Sequence, residues 1–280
     1  MTPAGDGGLS RVTLDGGVAM PRIGYGVLRI PPATFEQTIR AALDAGYRSI
    51  DTATMYGTEA LLGRALARSG RRDEVFLTTK LNNPDHGYAA ARAAFDRSRT
   101  ALQVDVIDLY LIHWPIPHRN LYVETWQALI ELRERGDVRV IGVSNFAPEH
   151  IARLIAETGV APAINQIEYH PYFQQSAASA FHAEQGIVTE AWSPLARGGE
   201  LLRDERVVAI AARCQRTPAQ VVLCWHLQQG RVVIPASTDP SHLADNFDLF
   251  GWSLDNEAME ALNALDRGVR LGPDPATFGD

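Results

Sequence analysis

Val106-Ile107-Asp108-Leu109-Tyr110-Leu111-Ile112 is a short, nearly unbroken apolar run. Behind it, Trp126, Leu129, Ile130 and Leu132 recur at helical spacing, and the next run, Val138-Arg139-Val140-Ile141-Gly142-Val143, is apolar again. A strand apolar on both faces must be covered on both, and a helix returning across it delivers a second strand running the same way. The unit repeats outward in both directions. Strand candidates fall near Ile23, Ile50, Leu77, Leu109, Ile141, Ile164, Val188 and Val233, each with a helical segment behind it, the first carrying Phe35, Ile39, Ala42 and Leu43. Eight such units without a break predict closure into a (β/α)8 barrel rather than an open sheet. Upstream, Arg11 to Leu14 and Val18 to Met20 flank Asp15-Gly16-Gly17, a β-hairpin signal. Thr34, Thr58, Pro148 and Thr217-Pro218 are the expected helix starts. Arg270 to Asp280, rich in Gly, Pro and Asp, is expected to be a tail over the active-site face. No linker or low-complexity tract interrupts this, so residues 1–280 are read as one domain.

Composition narrows the class. With 46% hydrophobic and 21% charged residues the chain can bury a large core, and a net charge of −7 argues against a nucleic-acid partner. Two cysteines, Cys214 and Cys224, give neither a disulfide framework nor a zinc site. Met1 to Leu9 lacks the basic start and apolar run of a signal peptide, and no apolar stretch approaches 18 residues. A soluble cytoplasmic protein, probing neither membrane nor nucleic acid, is the expectation. A dinucleotide fingerprint at Gly24-Tyr25-Gly26 fails, because the third glycine is missing and Pro31-Pro32 stand where the helix should begin. Those glycines read instead as a strand exit passing close to another part of the chain.

In a barrel, chemistry belongs at the C-terminal ends of strands. Three successive candidates end in polar groups: Tyr47 to Ile50 runs into Asp51 and then Tyr56, Val75 to Thr79 ends at Lys80, and Leu109 to Ile112 ends at His113-Trp114-Pro115. Taken singly, each has an ordinary structural reading, as a cap, a solvated strand end, a rim aromatic or a core histidine. Together they suit a carbonyl that acquires negative charge. An ammonium at Lys80 would lower the pKa of a Tyr56 phenol, Asp51 would hold that ammonium, and His113 would orient the carbonyl oxygen.

Asp51-Thr52-Ala53-Thr54-Met55-Tyr56-Gly57, Thr78-Thr79-Lys80, Asp108 to Pro115, Ile141 to Phe146, Asn165-Gln166-Ile167-Glu168-Tyr169-His170-Pro171 and Ile234-Pro235-Ala236-Ser237 resemble the aldo-keto reductase family, in order along essentially the whole chain. Within it they look like the bacterial 2,5-diketo-gluconate reductases. The resemblance implies NADPH- or NADH-dependent reduction of a small carbonyl substrate. Tyr56 is then the proton donor, with Lys80, Asp51 and His113 around it. It implies that Ser144, Asn145 and Gln166 hold the nicotinamide carboxamide and that Trp192 stacks on the ring. It also implies that the loop from Ser193 through Gly199 passes over the pyrophosphate, with Ser193, Leu195 and Arg197 among its contacts. Gly26, Val27, Asp51, Ser237, Thr238, His242 and Asn246 complete the expected cofactor contacts. Leu28, Tyr56, Asn82, His113 and Trp114 are the expected substrate contacts, and a monomer is the expected state.

The sequence departs from the family at two places. Where the pattern has a lysine and then an arginine gripping the 2′-phosphate, this chain has Ala236 and His242, with Asp239 nearby, which weakens the clamp and predicts substantial NADH use. Asn82 stands where tryptophan is frequent and Leu28 where tyrosine is, so the substrate pocket differs. Two rivals are a regulatory subunit, disfavoured by the short segment before the hairpin, and a Schiff-base aldolase using Lys80, disfavoured by the Asp51 partner. A metal site is not expected, since His113 and His118 stand alone.

Overall fold

A computed structural model describes residues 10–279. The expectations for Met1 to Leu9 and for Asp280 lie outside the described residues. β1 (Arg11–Thr13) and β2 (Ala19–Pro21) form the predicted antiparallel hairpin, Val12 facing Met20. Then come the barrel strands: β3 (Tyr25–Gly26), β4 (Ser49–Asp51), β5 (Phe76–Leu81), β6 (Ile107–Ile112), β7 (Val138–Ser144), β8 (Ile164–Glu168), β9 (Val188–Trp192) and β10 (Val232–Val233). Each pairs in parallel with the next, in chain order from β3 to β10. The ring closes where Ile23 bridges Val233, Gly24 N donates to Val233 O at 2.8 Å and Gly26 N to Pro235 O at 3.2 Å. A Cβ on Gly24 would stand 2.9 Å from Ile234 Cγ2, so glycine is what lets the first strand meet the last.

The helices follow in turn: α1 (Phe35–Asp44), α2 (Glu59–Ser69), α3 (Tyr88–Leu102), α4 (Tyr122–Glu134), α5 (Pro148–Thr158), α6 (Ser176–Gln185), α7 (Glu205–Cys214), α8 (Pro218–Gln228), α9 (Pro240–Phe247) and α10 (Asn256–Asn263). Among the described residues this is two more than the eight expected, because β9 is followed by both α7 and α8, and α10 comes after α9. α7 and α10 both pack on α8, whose face from Gln220 to Leu227 is buried throughout. Thr217 starts α8 as expected, its hydroxyl accepting from Gln220 N while the Gln220 side chain accepts from Thr217 N. Pro148 opens α5, where the ring of His150 accepts from Ala147 N. Thr34 and Thr58 do not cap. Thr34 donates back to Pro31 O, and the Thr58 hydroxyl pairs with that of Thr52 at 2.8 Å.

Strand parity divides the core and places the site. Leu14 and Met20 of the hairpin plug one end of the barrel, packed with Phe76, Leu109, Leu111, Val140, Ile164 and Val232 from inside. Tyr110 and Ile112 point outward into the layer under the helices. Alternate residues of a strand share a face. Counting upward in twos from the plug therefore gives Lys80 from Phe76, His113 from Leu109, Ser144 from Val140 and Gln166 from Ile164. The apolar floor and the polar mouth are one set of inward positions.

Candidate active site

Lys80 is wholly buried, and its Nζ donates to Asp51 Oδ1 at 2.5 Å and to Thr52 O at 3.1 Å. The ammonium stands 5.2 Å from the centroid of the Tyr56 ring. Tyr56 is carried on the short turn after β4 and meets His113 edge to face, centroids 5.6 Å apart. The four expected groups therefore converge. Burial opposes the charge on Lys80, but Asp51, with help from Tyr56, more than offsets it and holds the lysine above its ordinary pKa. Burial pushes the Tyr56 phenol up. Lys80 pulls it down, as expected from sequence, but less than burial and Asp51 raise it, so the net shift is upward and the expected lowering is corrected. His113 lies well below the usual histidine range, first from burial and then from Lys80, which leaves a neutral imidazole.

Beside this cluster the strand ends form a hydrogen-bonded shelf. Ser144 Oγ donates to Gln166 O at 2.9 Å and accepts from Asn145 Nδ2, which also reaches His113 O at 3.0 Å. Asn145 makes this reach because its backbone is left-handed, φ 62°. Trp192 Nε1 donates to Asn145 Oδ1 at 2.8 Å, and the far edge of the indole lies against Gly272 of the tail. Gln166 Nε2 donates to Asp51 Oδ2 at 2.9 Å and to Glu190 Oε2 at 2.8 Å.

These groups open onto a cavity of about 780 Å³, within the range of ligand sites. Gly26, Val27, Leu28, Asp51, Tyr56, His113 and Trp114 line it. So do Ser144, Asn145, Gln166, Trp192, Ser193, Leu195, Arg197, Ser237, His242 and Asn246. Asn82 and Thr238 are not brought to it: Asn82 turns its Oδ1 back onto Asn83 N, and Thr238 is exposed beside the loop. Ala236 is in the lining, and Ser237 Oγ already accepts from Asp239 N. Asp239 spends its carboxylate on Ser241 at the start of α9. Arg197 is tied to the tail through Leu271 O at 3.0 Å. Among the described residues no three His, Cys, Asp or Glu groups gather to hold a metal ion, and no helix is long and apolar enough to cross a membrane.

Three contributors were not anticipated. Phe278 of the tail packs on Trp114, centroids 4.3 Å apart, and closes the cavity wall. An aromatic in a Gly- and Pro-rich end was the available signal. Glu168, wholly buried, accepts from Leu271 N and Gly272 N and pairs with His170, anchoring the tail. Glu190, also wholly buried, shares the face of Trp192 on β9. An acid at an inward position of a short strand marks it.

Comparison with known proteins is concordant. Residues 17–267 match the aldo/keto reductase family. The chain is 50% identical to an aldo-keto reductase of Mycolicibacterium smegmatis, covering 96% of this chain and 98% of that one. It is 47% identical to the methylglyoxal reductase DkgA of Escherichia coli over the same shares. Among solved structures, a D53A mutant of Gox0644 in complex with NADPH superposes with a TM-score of 0.93 at 46% identity, covering 97% of this chain and 99% of that one. The barrel, the buried lysine–aspartate pair beneath a tyrosine, and these likenesses agree: this chain belongs to the aldo/keto reductase family, the NAD(P)H-dependent carbonyl reductases.

Proposed function

We propose that the chain reduces small aldehydes and ketones, dicarbonyls foremost and keto-sugar acids or aromatic aldehydes beside them, with NADPH or NADH and with Tyr56 as proton donor. One observation carries the reading: the Lys80 ammonium, fixed by Asp51 at 2.5 Å, lies 5.2 Å from the ring of a tyrosine that faces a neutral histidine across the cavity mouth. When bound, the reduced nicotinamide supplies a hydride. Tyr56 delivers a proton to the carbonyl oxygen as charge develops there, and Lys80 steadies the phenolate left behind. His113, uncharged, holds the same oxygen by a hydrogen bond. The raised pKa of Lys80 keeps it an ammonium, which argues against a Schiff-base role.

The lining fits the cofactor. Ser144, Asn145 and Gln166 would meet the carboxamide, with Trp192, wedged between Asn145 and Gly272, as the wall for the ring. Ser193, Ala196 and Arg197 all have positive φ, a backbone form that turns N–H groups toward an anion. At the far end Ala236 offers no donor, and the Asp239 carboxylate stands close by. Dicarbonyls come first because of the name of the Escherichia coli relative, and aromatic aldehydes because Trp114 and Phe278 make an aromatic wall.

The test is purified protein assayed on dicarbonyls, keto acids, sugars and aromatic aldehydes with each cofactor. We expect turnover with both, and kcat/KM favouring NADPH by less than about a hundredfold, roughly 2.7 kcal/mol. A larger ratio contradicts the weakened clamp. No oxidation of either cofactor contradicts the enzyme reading.

A further inference from the structure

Glu190 is wholly buried and is used by nothing described so far except Gln166. Its Oε2 accepts from Gln166 Nε2 at 2.8 Å, and the same nitrogen donates to Asp51 Oδ2 at 2.9 Å. A primary amide has two N–H donors and one carbonyl acceptor. Both donors are thus taken by carboxyl oxygens, one on β4 and one on β9. What remains is Gln166 Oε1, which has no partner among the described residues and belongs to a side chain lining the cavity. Turning the amide over would set its carbonyl oxygen against two carboxyl groups and leave both N–H groups without these acceptors, which is costly in a buried site.

We propose that Glu190 is a positioning residue: together with Asp51 it locks the amide of Gln166 so that only an acceptor faces the cavity, which selects a nicotinamide ring bearing a donor, the carboxamide NH2. This rests on the reading that Gln166 meets the carboxamide. Asp51 alone would satisfy one N–H and leave the second to drive rotation, so the second carboxyl completes the lock. Burial and Asp51 both hold Glu190 above the usual carboxylate range, and its protonated form still presents an acceptor oxygen to Gln166.

The experiment compares binding of NADPH with binding of its 3-acetylpyridine analogue, whose methyl ketone lacks the NH2, by quenching of tryptophan fluorescence without substrate. Wild type should prefer NADPH. Glu190→Met should shrink that preference by about tenfold, the scale of one buried hydrogen bond, through loss of NADPH affinity. Glu190→Gln, which keeps an acceptor, should restore it to within about threefold. An unchanged preference in Glu190→Met, or equal losses in Met and Gln variants, overturns the proposal. Gln166→Met separates the two layers. If it abolishes the preference while Glu190→Met does not, the lock alone is wrong; if it too leaves the preference intact, Gln166 does not read the carboxamide and both fall. A readout independent of how the variants fold is solvent exchange of the Gln166 side-chain NH2 in the wild-type protein. Exchange slower than that of exposed glutamines supports the lock, and equally fast exchange overturns it.

Discussion

Tyr56 sits between opposing forces, and their balance has a measurable consequence. Burial raises its pKa, Lys80 lowers it, and Asp51 raises it again, for a net upward shift from 10. A group with a raised pKa keeps its proton until the pH passes that value. Reduction uses the protonated phenol, so its rate should stay flat from about pH 6 to 9 and decline only above about 10. Oxidation of the alcohol needs the phenolate, so that rate should climb through the alkaline range. A reduction profile that halves below about pH 8 contradicts this balance. The four central residues were legible in the sequence because each stands at or just past the end of an apolar run, and strand ends are local features. The net raise of the phenol pKa was not, because the size of the burial effect depends on how far the barrel closes over the ring. Asn82 was misplaced for a different reason: its Oδ1 accepts from Asn83 N one residue on, a local bond that turns the side chain from the cavity. Glu190 carried one faint signal, an acid on the same face of a short strand as Trp192, and its partner Gln166 comes within reach only once β9 pairs with β8.

At the scale of elements, the start of α8 tests how a local signal becomes structure. Thr217 and Gln220 bond reciprocally there, and Pro218 occupies the first turn. Thr217→Ala should cost about 1 kcal/mol and lower the melting temperature, whereas Thr34→Ala, which removes no cap, should cost less than half as much; equal losses would show that the capping bond is not what stabilises α8. This start was legible because its partners lie within one turn. Thr58 misled because its hydroxyl prefers Thr52, across the turn that carries Tyr56. A second element-scale prediction concerns Gly142 in β7, where a Cβ would come within 2.6 Å of Ile164 Cγ2 and 2.7 Å of Ile164 O. Gly142→Ala should destabilise by about 1–3 kcal/mol, read in denaturant melts, because backbone on the neighbouring strand cannot give way. A melt like that of wild type would show that β7 and β8 are less tightly packed than this.

The whole molecule joins two distant pieces of chain, the hairpin plug and the tail, to the ends of one barrel. The tail is held at Leu271 and Gly272 by Glu168 and ends with Phe278 on Trp114. Phe278→Ala should raise KM for aromatic aldehydes by about three- to tenfold with kcat nearly unchanged, since the wall contacts substrate and transition state alike; a fall in kcat at constant KM would give the tail a role in the chemistry itself. The barrel was legible from repetition, while α7 and α10, which cover α8 rather than a strand, follow no repeat that the apolar runs announce. The central claim, that a buried lysine–aspartate pair serves a proton-donating phenol, is tested most directly by Tyr56→Phe. Reductase kcat should fall at least about a thousandfold, within the range general acid catalysis supplies, while NADPH binding, followed by tryptophan quenching, stays within about threefold of wild type. Retained turnover in that variant would contradict the account.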